Sequence, residues 1–515
     1  MRGNLFFDLR MGNLVEPLTG RHWDRQIIAR EILRRVAHYY DRGMRPQDRI
    51  FLLYGNRLEF FVDLMAVWTL GGCAIPVDAR LTPFEVETLA RAARPKFAIC
   101  CDSLENSMAL ALAELKIDVL STEAVGHSTS SVLPLGNALL LDSDALVLFT
   151  SGTTGQPKGV VHTHRSLRAR WMGLRQSLDM SKFSRTLCLL PTHFGHGLIC
   201  NCLFPWLSGR DLFIVPPFRT ELVMQLGTLL DEHEITFMSS VPTVWRMALK
   251  IAKPPRKQHL ERVFCGSAPL TAFLWKEIQR WTGADDVCNA YGITETGSWV
   301  AGTTVPNLVP EDGLIGVGWG SVIKILATSS PEHPPSMASE CAPGESGFVW
   351  LNTPALMKGY LGRDDLTNLV VSQGWFMTGD IGSLDERGYL YLRGREREEI
   401  NKGGTKIYPG DIDAVVERFE GTVDVCTFAF EEPLYGQNVG LAVVLRDACD
   451  ENVRALYDWL AHHIAKHQMP ARWYLLEEMP RSSRGKINRS QVAQKCAGLQ
   501  AVELRRIVGT QKAPE

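Results

Sequence analysis

Residues 146–164 read LVLFTSGTTGQPKGVVHTH. An apolar run meets Thr150, Ser151, Gly152, Thr153, Thr154 and Gly155, then a single cation, Lys158, before turning apolar again. Four hydroxyls stand beside backbone amides that no bulky side chain shields. Such a loop at a strand end can wrap an anion, and a cation about 4 Å from a phosphate oxygen is worth about 4 kcal/mol at an effective dielectric near 20. Polyphosphate is the ligand this chemistry suits. The spacing Gly152-x-x-Gly155-x-x-Lys158 lacks the four-residue gap and the Gly-Lys-Ser/Thr ending of the ordinary nucleotide P-loop, which disfavours a P-loop ATPase.

The elements that must hold this loop are those of a layered α/β protein. Ala145 to Phe149 read as a buried strand leading into the loop. Upstream, RQIIAREILRRVAHYY carries Ile28, Ile32, Val36 and Tyr40 at near-helical spacing, and RIFLLYGN reads as a buried strand ended by Gly55. Strand–helix alternation continues to about residue 300. From Gly313 to Tyr391 the texture turns to Gly-punctuated β-rich pieces such as SGFVWLN and RGYLYLRG, which predict a β-barrel-like subdomain. GREREEINKGG then packs charges and glycines where a core segment would be apolar, and reads as a joint. The expected division is a large N-terminal domain over 1–395 and a small, mobile α+β domain over 396–515.

At 515 residues the chain exceeds what a single core ordinarily holds. A hydrophobic content of 45%, 22% charged residues and a formal net charge of −2 exclude any global bias toward nucleic acid. The twelve cysteines are scattered without metal spacing, as in a protein with reduced thiols, and Cys200 and Cys202 are expected in the core. No apolar run approaches a membrane span, and the opening MRGNLFFDLR carries Asp8 and Arg10, unlike a signal peptide. A cytoplasmic location is expected.

The loop has companions. TSGTTGQPKG is followed in order by GSAPL (266–270), YGITETG (291–297), GWFMTGDIG (374–382), the GRERE joint and PRSSRGK (480–486). Together these motifs resemble the adenylate-forming superfamily, which contains acyl-CoA synthetases, nonribosomal peptide synthetase adenylation domains and luciferases. The resemblance spans nearly the whole chain. It implies ATP and Mg²⁺ as cofactors and an acyl-adenylate as intermediate.

Site roles follow from that resemblance. An acid activated by ATP must bring its carboxylate against an α-phosphate, so cations have to bridge two anions. Tyr291 offers a flat face for adenine, Thr294 a hydroxyl for the α-phosphate, and Glu295 a hard oxygen of the kind Mg²⁺ prefers. Gly266, Ser267, Ala268, Pro269, Asn289, Ala290 and Gly292 complete the nucleotide site with the phosphate loop. Asp380 is assigned the ribose hydroxyls, with Arg395 helping at the ribose and phosphate end. Lys486 is the implied catalytic lysine, joining carboxylate and α-phosphate as charge shifts. Arg397 falls at the family's hinge, where Asp or Lys is commoner, and Gly404 at the tunnel for a pantetheine arm.

For the acid itself, Phe194 in LPTHFGHGL is a candidate gate, with Trp245, Cys265, Gly266 and Trp299 as candidate walls. Relatives that activate α-amino acids place Asp just after the equivalent aromatic, whereas this chain has Gly195, which disfavours an amino-acid substrate. An aromatic, alicyclic or medium-chain carboxylic acid is expected. The leading expectation is an acid:CoA ligase. The alternative is an amide synthetase passing the acyl group to an amine, because Asn401 stands where many CoA ligases have Lys and TETGSWVAG departs from the commonest of them.

Overall fold

The computed structural model describes residues 10–515 except 102–103, 126–140, 151–156, 218, 329–334, 336–338, 404, 434–435, 482–485, 505–506 and 508–515. The described residues form three sheets. In the first, strands run in the order Gly359–Tyr360, Lys158–Thr163, Asp144–Thr150, Cys73–Pro76, Arg49–Leu52, Phe97–Cys100 and Asp118–Ser121. From Asp144–Thr150 outward the pairing is parallel, and strands such as Cys73–Pro76 and Phe97–Cys100 are buried throughout, as apolar runs covered on both faces must be.

The second sheet joins two textures. Its parallel half places Arg262–Gly266 between Phe237–Ser240 and Asp286–Ile293. Beyond Asp286–Ile293 the pairing turns antiparallel through Ser298–Gly302, Leu314–Gly318, Leu390–Arg395, Trp375–Leu384, Gly347–Asn352 and Val322–Leu326. These are the Gly-punctuated strands for which a barrel-like subdomain was expected. Among the described residues they do not close into a ring, because they extend an existing sheet edge and the last strand, Val322–Leu326, has Gly347–Asn352 as its one strand neighbour, with a single further bridge from Leu326 to Glu340.

Helix Arg25–Asp41 is capped by Asp24, whose Oδ1 accepts from the amides of Gln26 and Ile27 at 2.8 Å each. Ile28, Ile32 and Val36 are buried as their spacing predicts. Tyr39 rather than Tyr40 is the fully buried tyrosine, since its hydroxyl donates to the buried Asp63 carboxylate at 2.6 Å.

The third sheet aligns Thr405–Ile407, Ile400–Lys402, Gly436–Leu445 and Thr422–Glu432, with Arg472–Leu475 parallel to Gly436–Leu445. Apolar residues from Ile400 onward pack into two clusters of their own, while the clusters nearer the N-terminus draw on residues 11 to 392. Every cysteine is a free thiol, and Cys200 and Cys202 are fully buried. Among the described residues no helix is long and apolar enough to cross a membrane.

Candidate active site

Strands Asp144–Thr150 and Lys158–Thr163 pair antiparallel with Thr150 opposite Lys158, so the hairpin fixes both ends of the Thr/Ser/Gly loop. Ser151, Gly152, Thr153 and Thr154 lie outside the described residues. Lys158 Nζ stands 5.4 Å from the Tyr360 ring centroid, and the Tyr360 hydroxyl donates to Glu295 Oε1 at 2.7 Å. The loop cation and the candidate metal carboxylate are therefore linked through one aromatic side chain. Burial, reinforced by the Glu295 charge, raises the Tyr360 phenol pKa, so it stays a donor.

The turn Thr294–Thr296 is gripped at each of its carbonyls. His162 Nε2 donates to Thr294 O (2.8 Å), the Met357 amide to Glu295 O (2.7 Å), and Arg170 Nε and Nη2 to Thr296 O (3.1 and 2.9 Å). Burial lowers His162 to about 4, leaving it neutral, and pulls Arg170 down to about 10. Gly297, at φ +74°, follows the turn and lets the chain pass over Arg170, where an added Cβ would sit 3.4 Å from the Arg170 stem.

Asp380 and Arg395 are opposite one another in adjacent strands. Arg395 Nε lies 2.9 Å from Asp380 Oδ1, and the Tyr291 hydroxyl donates to Oδ2. Burial raises the Asp380 carboxyl, with Arg395 and then Tyr291 opposing that shift. The tyrosine expected against adenine is thus anchored to the aspartate expected against ribose.

Gly266 ends strand Arg262–Gly266 opposite Ala290, and a Cβ there would fall 2.3 Å from the Ala290 carbonyl oxygen. Ser267 takes a positive φ of 65° at the start of the Ser267–Ala268–Pro269 turn. Its hydroxyl meets His196 Nδ1 at 2.8 Å, and His196 Nε2 meets the Ser239 hydroxyl at 2.6 Å. Burial holds His196 near 3, with the Lys486 charge acting in the same direction. Gly292 passes so close to Ser298 that a Cβ would meet its carbonyl oxygen at 2.2 Å. Asn289 commits an amide hydrogen to Leu314 O at 2.9 Å and braces two strands.

Among the acyl candidates, Phe194 and Trp299 flank His196, with ring centroids 6.4 and 5.7 Å away. Trp245 is fully buried and packs edge-on against Trp281 at 5.8 Å, while Cys265 is buried in the strand ending at Gly266. Arg397 lies in the short turn Glu396–Glu398, and its charge reaches the Tyr360 phenol. Gly404 lies outside the described residues. His162, Arg170, His196 and Tyr360 are site residues that the motif reading missed. Only His162 and His196 fall within stretches it singled out.

Glu295 supplies one carboxylate, and among the described residues no three His, Cys, Asp or Glu side chains gather into a metal cage. That arrangement fits Mg²⁺, which is ordinarily held by one or two carboxylates together with substrate phosphates and water.

The chain is 27% identical to the oxalate–CoA ligase of Arabidopsis thaliana over 477 residues, covering 88% of this chain and 89% of that one. It is also 27% identical to the feruloyl-CoA synthase of an Amycolatopsis species, covering 92% and 94%. In three dimensions it resembles ATP-bound MatB from Rhodopseudomonas palustris, with a TM-score of 0.82 at 23% identity over 97% of this chain and 99% of that chain. The AMP-binding enzyme family matches residues 29–361, and with the geometry above this chain belongs to that family.

Proposed function

We infer that the protein is an ATP-dependent, AMP-forming acid:CoA ligase, with a small-molecule carboxylic acid and CoA as its substrates. The observation that carries this reading is the clustering of Lys158, Tyr360 and Glu295, with Tyr291, Asp380 and Arg395 forming a second linked set. The CoA ligases among its relatives support CoA over an amine as the acceptor.

In this reading Asp380 and Arg395 hold the ribose and Tyr291 stacks on adenine. Glu295 would hold Mg²⁺, which would offset the phosphate charge. Lys486 brings the acid's carboxylate against the α-phosphate, a contact that two anions would not make unaided. Phe194, Trp299 and the neutral His196 border the acyl group, and no permanent charge on His196 opposes an apolar or aromatic acid. Residues 396–515 act as a lid turning about Arg397, the pantetheine arm enters beside Gly404, and the protein works in the cytoplasm.

Incubation with ATP, Mg²⁺, a panel of carboxylic acids and either CoA or amines, followed by mass spectrometry, tests this. An acid-dependent CoA thioester with AMP and pyrophosphate is the expected product. Amides formed without any CoA thioester would overturn it.

A further inference from the structure

Polar contacts between the small C-terminal sheet and the large domain converge on helix Pro242–Ile251. Its buried face carries Val244, Trp245 and Ala248. Thr243 and Arg246 reach the other way. Arg246 Nε and Nη2 hold Glu417 Oε1 at 2.8 and 2.7 Å, and the Thr271 hydroxyl, which also caps helix Ala272–Thr282, donates to Glu417 Oε2. Glu417 closes helix Pro409–Glu417 of the C-terminal region.

A second contact lies close in sequence to Lys486. Arg481 Nη1 donates to Thr243 Oγ1 at 3.0 Å, while Nη2 pairs with Asp424 in strand Thr422–Glu432. Arg481 and Ile487 face each other in an antiparallel bridge, so this arginine pairs with the residue that follows Lys486. Arg481, held against Thr243 and bridged to Ile487, keeps the adjacent Lys486 beside the large domain, and the Lys486 charge acts on His196 in the same direction as burial.

We propose that the Arg481–Thr243 contact and the Arg246–Glu417 pair form a latch that keeps Lys486 over the large-domain site while the acyl-adenylate forms and releases for thioester formation. The proposal rests on the ligase reading above. The geometry suits a reversible device. Each contact joins two side chains rather than two apolar faces, and the small domain keeps its own core, so parting them leaves that core intact. Thr243 and Arg246 share a helix with Trp245, so docking of the lid is mechanically joined to a candidate wall of the acyl site.

Thr243→Val and Glu417→Gln remove the two contacts separately, and Thr243→Ser keeps the hydroxyl. With an acid the unmodified enzyme activates, two rates are measured: acid-dependent ATP–pyrophosphate exchange, and CoA-dependent consumption of the supplied acyl-adenylate. Thr243→Val and Glu417→Gln are expected to slow exchange by about 10- to 100-fold and to leave adenylate consumption within about twofold or faster, while Thr243→Ser restores exchange. A parallel fall in both rates, or no fall in exchange, overturns the latch. Absence of exchange in the unmodified enzyme with every acid would instead overturn the ligase reading. Should Glu417→Gln fail to fold, the near-isosteric Thr243→Val and Thr243→Ser pair decides alone.

Discussion

His162 Nε2 lies 2.8 Å from the backbone carbonyl of Thr294, across 132 positions of sequence, so the strand Lys158–Thr163 directly supports the turn that carries Glu295. Only a ring N–H can bond a carbonyl, and burial keeps the imidazole neutral, which assigns the hydrogen to Nε2. His162→Leu removes that donor and is expected to cost about 1–3 kcal/mol of stability. It should also lower the adenylation rate about tenfold, whereas His162→Gln, which can still donate, should recover much of both. Denaturant midpoints and pyrophosphate release check this, and equal rates for the Leu and Gln variants would count against the support role.

Asp380 is held from two sides, and its two partners should not weigh equally. Asp380→Asn loses the charge facing Arg395 as well as the ribose acceptor, and is expected to raise the KM for ATP by about 10- to 100-fold. Tyr291→Phe removes only a hydroxyl that Arg395 backs up, and should raise it by less than about tenfold. Steady-state kinetics in ATP distinguish the two, and an Asn variant with unchanged KM would remove Asp380 from nucleotide binding.

Lys486→Ala should abolish acid-dependent pyrophosphate release by about 10²- to 10³-fold. Transfer from a supplied acyl-adenylate should persist, because the α-phosphate bond has already been made and broken. Equal loss of both steps would show that the lysine acts throughout.

Three buried histidines make the fold acid-sensitive. Burial lowers His162 and His164 from 6.5 to about 4, and His196 to about 3. Below pH 6.5 the unfolded chain binds protons that the folded chain refuses. The stability these groups contribute is therefore complete above about pH 6.5 and lost as pH falls toward 4, by up to about 1.4 kcal/mol per pH unit for each histidine. Urea midpoints at pH 7 and pH 5 should reveal the fall, and His162→Gln should shrink the difference. A midpoint that does not change between those pH values would contradict this account.

The helix over Arg25–Asp41 and the strand Asp144–Thr150 were legible because their pattern lies in the chain itself: Ile28, Ile32 and Val36 mark one helix face, and the apolar run ending at Phe149 needs no partner to be read. The barrel-like reading of the Gly-rich region went further than local pattern allows. Those strands alternate as barrel strands do, but closure depends on where the last strand ends up, and here Val322–Leu326 ends as an edge. Trp245 is expected as a pocket wall from its position, and its edge contact with Trp281, 36 residues on, is a packing detail that no local pattern announces.

The sequence alone determined which groups are available: a hydroxyl-rich loop with one lysine, a Thr-Glu-Thr turn, an aspartate beside glycine, and a late lysine among small residues. Motif order carried that information because each motif is a few neighbouring residues with a fixed chemistry. Tertiary structure decided which of them touch. Tyr360 on Glu295, His196 between Ser239 and Ser267, Arg170 on Thr296 and Arg481 on Thr243 all join segments far apart in the chain. Such contacts leave no periodic trace, because a hydrogen bond depends on distance and direction in space and not on spacing along the backbone.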